Sequence, residues 1–516
     1  MAEELYQNNF FDTEHLKTDL KGRSVRGGAV TMAGQGARFF LGMGSTVVLA
    51  RLLTPQDFGL IAMVTAVTGF VMMFKDMGLS MATVQKAEIN NGQISTLFWI
   101  NVLLSLCVML VTAALAPVIA WFYGEPRLTW ITLALASAFI FGGLTVQHQA
   151  LLRRNMRFGT LALIGIIGQL AGIVAAIIAA FYGAGYWSLV IMQLAATIAG
   201  AIAVWLACGW RPGLPVRRSG VRAMLAFGGN LTGFNFINYF ARNLDNVLIG
   251  KFWGSGSLGL YSKAYSLLML PLQQINSPLS AVAVPVLSRL QKEPTKFRSY
   301  YRKGLTLATM FAMPIVVFLF VVADKAILIV LGEQWTGAVP IFRALGIAAL
   351  VGTTGGPGSG WVYMTLGNVR RQFFVSIVST GLLVIGFVIG LRWGPIGVAT
   401  AFSIHAVAWR LPSILICYWR TFLKLTDFLS ALWRPVAASI IAGICLFFID
   451  DYVLTNANLL IRFFFNFIEY SACYILCWML LPGGKRILFD TVRLVNELRP
   501  DKTNIRVPNV NEKVYT

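Results

Sequence analysis

Two arginines stand inside stretches of sequence that are otherwise apolar: Arg38 in the first such run and Arg242 in the seventh. A guanidinium in a spanning helix costs several kcal/mol unless it meets a partner or water, so each must be held for a reason. Polar residues recur around both at helical spacing. Thr31, Gln35, Arg38, Gly42 and Ser45 do so in the first run, and Asn235, Asn238, Arg242 and Asp245 in the seventh. Positions three and four apart share a helix face, so each run carries one polar stripe. Such stripes must face protein or water, and two of them argue for a central hydrophilic cleft. The chemistry open to them is the binding of a polar cargo inside the membrane, or internal pairing. Asp245 stands one turn from Arg242 and is either its counter-ion or the carrier of a coupling proton or sodium ion. Lys263 and Arg343 are further cations placed to face the cleft.

Other chemistry has little support. His148 and His405 are isolated from any nucleophile or carboxylate constellation, and both read as structural. The six cysteines lie in or at the ends of apolar runs; "CYILC" puts two sulfurs one turn apart, but no second pair or histidine completes a zinc site. "GTTGGPGSG" in the tenth run fails as a phosphate loop, because no Lys-Ser/Thr follows and no strand precedes it. It reads as a broken intramembrane helix. No catalytic residues, no metal and no organic cofactor are expected.

The elements that position these residues follow from composition. Of 516 residues, 57% are hydrophobic and 12% charged, against about 25% charged in soluble chains, and the mean hydropathy is +0.71. A spanning helix needs roughly 20 mostly apolar residues, and the chain offers about fourteen such runs. Strand-like alternation is absent, so the fold class is an all-α polytopic membrane protein. The net charge of +21 is distributed by side. Arg153, Arg154, Arg157, Arg217, Arg218, Arg289, Lys292, Lys296, Arg298 and Arg302 fall on even-numbered loops, while the odd ones hold isolated cases such as Arg127, Lys325 and Arg392. That is the positive-inside pattern; it places both termini in the cytoplasm and excludes a nucleic-acid footprint. The polar N-terminus has no signal-peptide core.

"VVLARLLTPQDFGLIAMV" and "NVLIGKFWGSGSLGLYSK" reveal a duplication at an offset of 200. Arg51 then aligns with Lys251, Gly59 with Gly259, Gln35 with Asn235, Arg38 with Asn238, Gly42 with Arg242 and Ser45 with Asp245. Two lobes of six helices are therefore expected, parallel in topology because six is even. Their boundaries are a cytoplasmic tail 1–26, an N-lobe 27–210, a basic linker 211–223, a C-lobe 224–420, an appended helix pair 421–482 and a cytoplasmic tail 483–516. Arg51 and Lys251 read as interfacial anchors, Lys75 and Asp76 as snorkelling residues at a helix end, and Glu469 has no assigned role. Pro271, Pro278 and Pro285 make the eighth span a bent helix.

"LARLLTPQDFGLIAM", "NLDNVLIGKFWGSGSLGLYSKAYSL" and "LGEQWTGAVPIFRAL" resemble the signature segments of bacterial polysaccharide-repeat-unit flippases. These form the polysaccharide transporter branch of the multidrug/oligosaccharidyl-lipid/polysaccharide superfamily, and the resemblance is closest to the colanic-acid exporter type. It covers roughly residues 25 to 480, counted along the same set of apolar spans. It implies a V-shaped pair of six-helix lobes in the bacterial inner membrane. It also implies a cargo of undecaprenyl-pyrophosphate-linked oligosaccharide, used in lipopolysaccharide or exopolysaccharide biosynthesis, with membrane lipids, a polysaccharide polymerase and a co-polymerase as partners. A guanidinium grips a pyrophosphate through two parallel hydrogen bonds, which gives Arg38 and Arg242 their expected role, with Gln35, Asn235, Asn238, Lys263 and Arg343 beside them. Two other functions compete. A cation-coupled antiporter of the multidrug branch shares the twelve-helix core, but cationic cleft residues repel cationic drugs and such chains usually lack the last helix pair. A polymerase or ligase is expected to carry a large external loop with catalytic residues; here the external loops are short.

Overall fold

The computed structural model describes residues 20–72, 79–86, 89–216, 222–450 and 458–489, and within them the side chains of 20–25, 72, 222–242 and 450 are left out. Lys75 and Asp76 lie outside the described residues, as do the side chains of Asn235, Asn238 and Arg242. Every element among the described residues is helical. In chain order the first eight are α1 (Leu20–Leu52), α2 (Pro55–Met72), α3 (Leu79–Gln85), α4 (Asn91–Tyr123), α5 (Arg127–Gly143), α6 (Val146–Arg154), α7 (Phe158–Phe181) and α8 (Trp187–Ala207). Then follow α9 (Arg222–Arg289), α10 (Pro294–Val321), α11 (Ala323–Val330), α12 (Ala338–Gly352), α13 (Trp361–Thr365), α14 (Val369–Gly390), α15 (Gly394–Tyr418), α16 (Leu425–Asp450) and α17 (Leu459–Leu480).

The chain folds as the polytopic all-α membrane protein that its apolar runs predict. Among the described residues nine helices are long and apolar enough to cross a membrane, or ten if the bent pair α5 and α6 forms one span. Two of the nine, Asn243–Arg289 and Val369–Tyr418, run to 47 and 50 residues, more than twice the roughly 20 that one crossing needs. A glycine breaks each of these regions. Gly254 has φ 77 and ψ −179 inside α9, and Gly394 has φ 70 and ψ −157 between α14 and α15. Gly332, before the short turn Glu333–Trp335, has φ 99 and ψ 176. This backbone region is open essentially to glycine alone, so "WGSG", "LGEQ" and "WGPI" end their helices for the same reason.

Two compact units are distinguished, each with its own core. The first comprises Met1–Leu268, Ala323–Ala348 and Ser376–Val407. In it α4 opens on a capping box, where the Asn90 side chain accepts from the Gln93 amide, and closes on Gly124 with φ 71. Helices α7 and α8 approach closely because Gly168 and Gly172 have no side chain; a Cβ at Gly172 would stand 2.6 Å from the Met192 carbonyl oxygen. Small residues let membrane helices pack backbone to backbone where lipid gives no hydrophobic drive. His148 is buried with Phe98, its ring 4.5 Å from that of Trp205 and 5.0 Å from that of Trp210.

The second unit comprises Met269–Val322, Ala349–Val375 and Ala408–Thr516. Its core gathers Phe297, Tyr301, Trp361, Ile414, Tyr418 and Phe428. Arg298 clamps the buried Asp427 through two bonds of 2.9 and 3.0 Å, and Asp427 also accepts the Lys424 amide at the start of α16. Between α12 and α13 the helix is interrupted by a π-helical turn, Gly356–Gly360, where "GTTGGPGSG" leads one to expect a break. Its freed carbonyls are caught by side chains: the Tyr301 hydroxyl donates to Gly358 O at 2.6 Å and the Cys417 thiol to Ser359 O at 3.7 Å.

Candidate functional site

The interrupted motif "LLTPQDFG" folds as a helix end followed at once by a helix start. Thr54 and Asp57 form the start of α2: the Thr54 amide and hydroxyl both donate to the Asp57 carboxylate, at 2.9 and 2.7 Å. Pro55, with no N–H to lose, opens the first turn. This turn does not sit alone. Within the first unit it meets its own duplicate.

The contact is symmetric at the offset of 200. A Cβ built on Gly59 would fall inside the van der Waals shell of the Ser255 carbonyl, and one built on Gly259 would do the same at the Pro55 carbonyl, 3.2 Å from the Gly59 amide nitrogen. Pro55 corresponds to Ser255 and Gly59 to Gly259. A Cβ on Gly256 would lie 3.4 Å from Cγ of Gln56, its own counterpart. The two copies therefore cross at paired glycines, main chain against main chain. Only glycine on both sides permits this approach.

Cations reinforce the crossing by exchange. Arg51 of the first copy donates to Ile329 O in the second at 3.0 Å. Lys251 of the second copy donates to Phe122 O in the first, with its ammonium 5.1 Å from the Phe122 ring centre. These are more than interfacial anchors: each crosses to the other copy. The last turn of α1 leaves carbonyls without intrahelical partners, and residues nearly three hundred positions away satisfy them. Gln334 donates to Ala50 O and Leu53 O at 2.5 and 3.0 Å, and the buried Trp335 indole donates to Ala50 O at 2.9 Å. Trp335 also packs edge-on against Phe58, with ring centres 5.4 Å apart. The glycine breaks at 254 and 394 also come together, since the Trp253 indole donates to Leu391 O at 2.9 Å and its ring lies against Gly394.

The polar residues singled out in the sequence are placed as follows. Arg38 is exposed on α1 and tied to α7: its Nε donates to Gln169 Oε1 at 3.3 Å, while the Gln169 amide donates to Arg38 O at 2.9 Å. Gly165 makes room for it, a Cβ there lying 3.2 Å from the guanidinium. Gln35 is exposed on the same helix. Lys263 is half-buried with its ammonium 4.0 Å from the centre of the Phe58 ring, a cation–π contact that seats it beside the crossing. Arg343 faces Asp324 at 3.5 Å, both side chains about half exposed, a geometry that contributes little. Asp245 is buried and accepts the Tyr261 hydroxyl and the Asn246 amide, each at 2.8 Å. Among the described side chains no hydrogen bond or ion pair joins Arg38, Lys263, Arg343 and Asp245 to one another. Among them too, Arg38 and Lys263 have no carboxylate partner.

Sequence reading did not find Gln169, Tyr261, Gln334 or Trp335. The first two are ordinary polar residues in apolar runs, and periodicity does not reveal which helix they meet. For the last two a signal existed: "GEQW" is a polar-aromatic turn between apolar runs.

Outside the membrane-spanning segments, Arg127 forks onto Glu125 at 2.7 and 2.9 Å. That pairing lowers the Glu125 carboxyl below its ordinary range.

A family model described as "Polysaccharide biosynthesis protein" matches residues 48–340, which includes both turns of the crossing. The chain is 27% identical over 369 residues to "Lipopolysaccharide biosynthesis protein WzxC" of Escherichia coli (strain K12), covering 70% of this chain and 74% of that one. It is 28% identical over 309 residues to "Teichuronic acid biosynthesis protein TuaB" of Bacillus subtilis (strain 168), covering 60% and 64%. To "Succinoglycan biosynthesis transport protein ExoT" of Rhizobium meliloti (strain 1021) it is 25% identical, covering 59% and 61%. In fold it is similar to the solved structure "Lipid II flippase MurJ, inward closed conformation", with a TM-score of 0.69 at 15% identity over 90% of this chain and all of that one. A multidrug MATE family transporter in the inward-facing conformation follows at 0.60 and 12% identity, over 74% of this chain and 94% of that one.

Proposed function

The chain belongs to the polysaccharide biosynthesis protein family, within the superfamily that also holds the multidrug transporters, and on that premise we propose that it is a flippase for lipid-linked oligosaccharide repeat units. It acts in the bacterial inner membrane, carrying undecaprenyl-pyrophosphate-linked sugars from the cytoplasmic to the outer leaflet by alternating access. The single observation that carries the mechanism is the glycine crossing. Two copies of one repeat meet main chain to main chain at one end, where paired glycines lie against backbone carbonyls, side-chain donors cap the last turn of α1, and the buried Trp335 packs on Phe58. On this account the joint closes the pathway, and the two copies part along it by a rigid-body movement.

In this reading the lobes are 27–210 and 224–420, joined by the linker 211–223 and followed by the helix pair 421–482, with fourteen crossings expected from their apolar runs. The crossing then lies at the outer face, a placement supported by the basic loops of the sequence, which mark the cytoplasmic side. Arg38 and Lys263, which have no carboxylate partner among the described residues, hold the pyrophosphate together with Arg242, helped by Gln35, Asn235 and Asn238. Arg343 takes part by exchanging Asp324 for the cargo. Asp245, held by Tyr261, is the coupling group. The relatives' names point to different polymers, namely lipopolysaccharide, teichuronic acid and succinoglycan, so the reading commits to a lipid-linked cargo and not to one sugar. A polymerase and co-polymerase act next on the delivered unit.

Deletion of the gene tests the reading. The expected result is lipid-linked oligosaccharide accumulating on the cytoplasmic face, with the surface polymer lost. Repeat units reaching the outer leaflet at the normal rate without the protein would refute it. Maleimide labelling of single cysteines adds the orientation: position 125 should react from outside and position 296 only after permeabilisation.

A further inference from the structure

Arg410 lies in α15, within the second unit, and has no place in the account above. Its side chain is half-buried, and Nη2 donates to Val351 O at 3.1 Å. The guanidinium rests against Gly355 at the interrupted helix; a Cβ there would be 3.2 Å from Nη2 and 3.6 Å from Nη1. Its Nε is buried without a hydrogen-bond partner, and among the described residues no carboxylate pairs with it. The buried carboxylate of this unit's core, Asp427, is already clamped by Arg298. One carbonyl is meagre compensation for a cation in a spanning helix, where arginine is otherwise paired or wetted.

Beside it lies bare backbone. Gly352, Gly356 and Gly360 follow at intervals of four, and nothing stands within 4 Å of a Cβ built on any of them. Gly352 and Gly356 are exposed. Tyr301 and Cys417 occupy the carbonyls of Gly358 and Ser359, so the interruption is held open rather than left to collapse. π-Helical turns of this kind recur at functional sites.

We propose that Arg410 and the glycine face beside it form an oxyanion-binding subsite in the second unit. The guanidinium supplies the charge and the N–H groups not spent on Val351 O; the absent side chains let the ligand approach the main chain. The oxyanion is a lipid-borne phosphate or the carboxylate of an acidic sugar. Assigning it to the cargo rests on the flippase reading, whereas anion binding does not.

The test uses the full-length protein in detergent with cysteine at position 356 (Gly356→Cys). Maleimide labelling of that peptide is followed by mass spectrometry in inorganic pyrophosphate, in glucuronate, and in chloride at matched ionic strength. At least one oxyanion should slow labelling several-fold relative to chloride. Arg410→Lys should keep part of the protection, and Arg410→Gln, which keeps a polar side chain but not the charge, should lose it in protein that remains folded by circular dichroism. Protection by pyrophosphate alone assigns the phosphate, and protection by glucuronate alone the acidic sugar. Equal rates in all three salts with Arg410 intact overturn the subsite, as does a cysteine that maleimide cannot reach, or protection that survives Arg410→Gln. Protection that persists while export proves independent of the protein would instead remove the flippase reading and leave the subsite standing.

Discussion

A Gly59→Leu protein is expected to insert in the membrane and to export on the order of a hundredfold less. The new side chain meets the Ser255 main-chain carbonyl, which cannot rotate aside as a flexible side chain would. Overpacking costs about 1–3 kcal/mol even where neighbours can adjust. Against backbone the upper figure applies, and ~3 kcal/mol lowers the population of the closed outer end on the order of a hundredfold. A transporter that cannot close outside cannot load from inside without leaking, so flux falls in step. Gly259→Leu should match it, because the contact is reciprocal at Pro55. Gly44→Leu is the control, since nothing lies within 4 Å of a Cβ at that position of α1. The measurement is surface polymer at equal membrane protein, with labelling of a cysteine at position 54 from outside. Normal export by Gly59→Leu would show that the crossing plays no part in the cycle.

The second large effect is expected at Arg38. Arg38→Ala removes a guanidinium whose described partner is the neutral Gln169. Hydrogen bonds to charged groups contribute about 1.5–3 kcal/mol, so export should fall roughly 10- to 100-fold. Arg38→Lys should retain part of it, because a point charge keeps the attraction and loses the fork. Gln169→Ala leaves the charge and frees the side chain, so its effect should be smaller and fall on apparent affinity more than on maximal rate. A structural role predicts the reverse order, with melting temperature falling and affinity unchanged. Full export by a well-expressed Arg38→Ala protein would contradict the cationic reading of the cleft.

Much of this architecture was legible in the residues. Apolar run length gave the helical membrane class, and the offset of 200 that aligns Arg51 with Lys251 and Gly59 with Gly259 gave the duplication. That alignment also located the crossing, although its meaning was hidden. Sequence shows that a turn is repeated; it does not show that one copy's Gly59 docks on the other's Ser255. The caps on α1 were illegible for a related reason. Helical periodicity tells which face of "VVLARLL" is buried, but the donors to Ala50 O come from Gln334 and Trp335, far along the chain. Arg410 was missed because a single arginine in "AWRLPS" looks like a helix-end residue. Only its donation to the Val351 carbonyl, beside the neighbouring interruption, shows where it points.

A reversible lock on the glycine crossing tests the central claim most directly. In a Gln56→Cys, Gly256→Cys protein, the Cβ of residue 256 would lie 3.4 Å from where Cγ of Gln56 stands, the position a sulfur at residue 56 takes in the same rotamer, which is close enough for a disulfide to form with a small side-chain adjustment. Oxidation is expected to form the bridge in most molecules and to stop delivery of lipid-linked sugar to the outer leaflet; reduction should restore it. Each single-cysteine protein should be indifferent to oxidant. A bridged protein that still delivers its cargo at the unbridged rate would mean that this end never opens, and the account of two copies parting at Gly59 and Gly259 would be wrong.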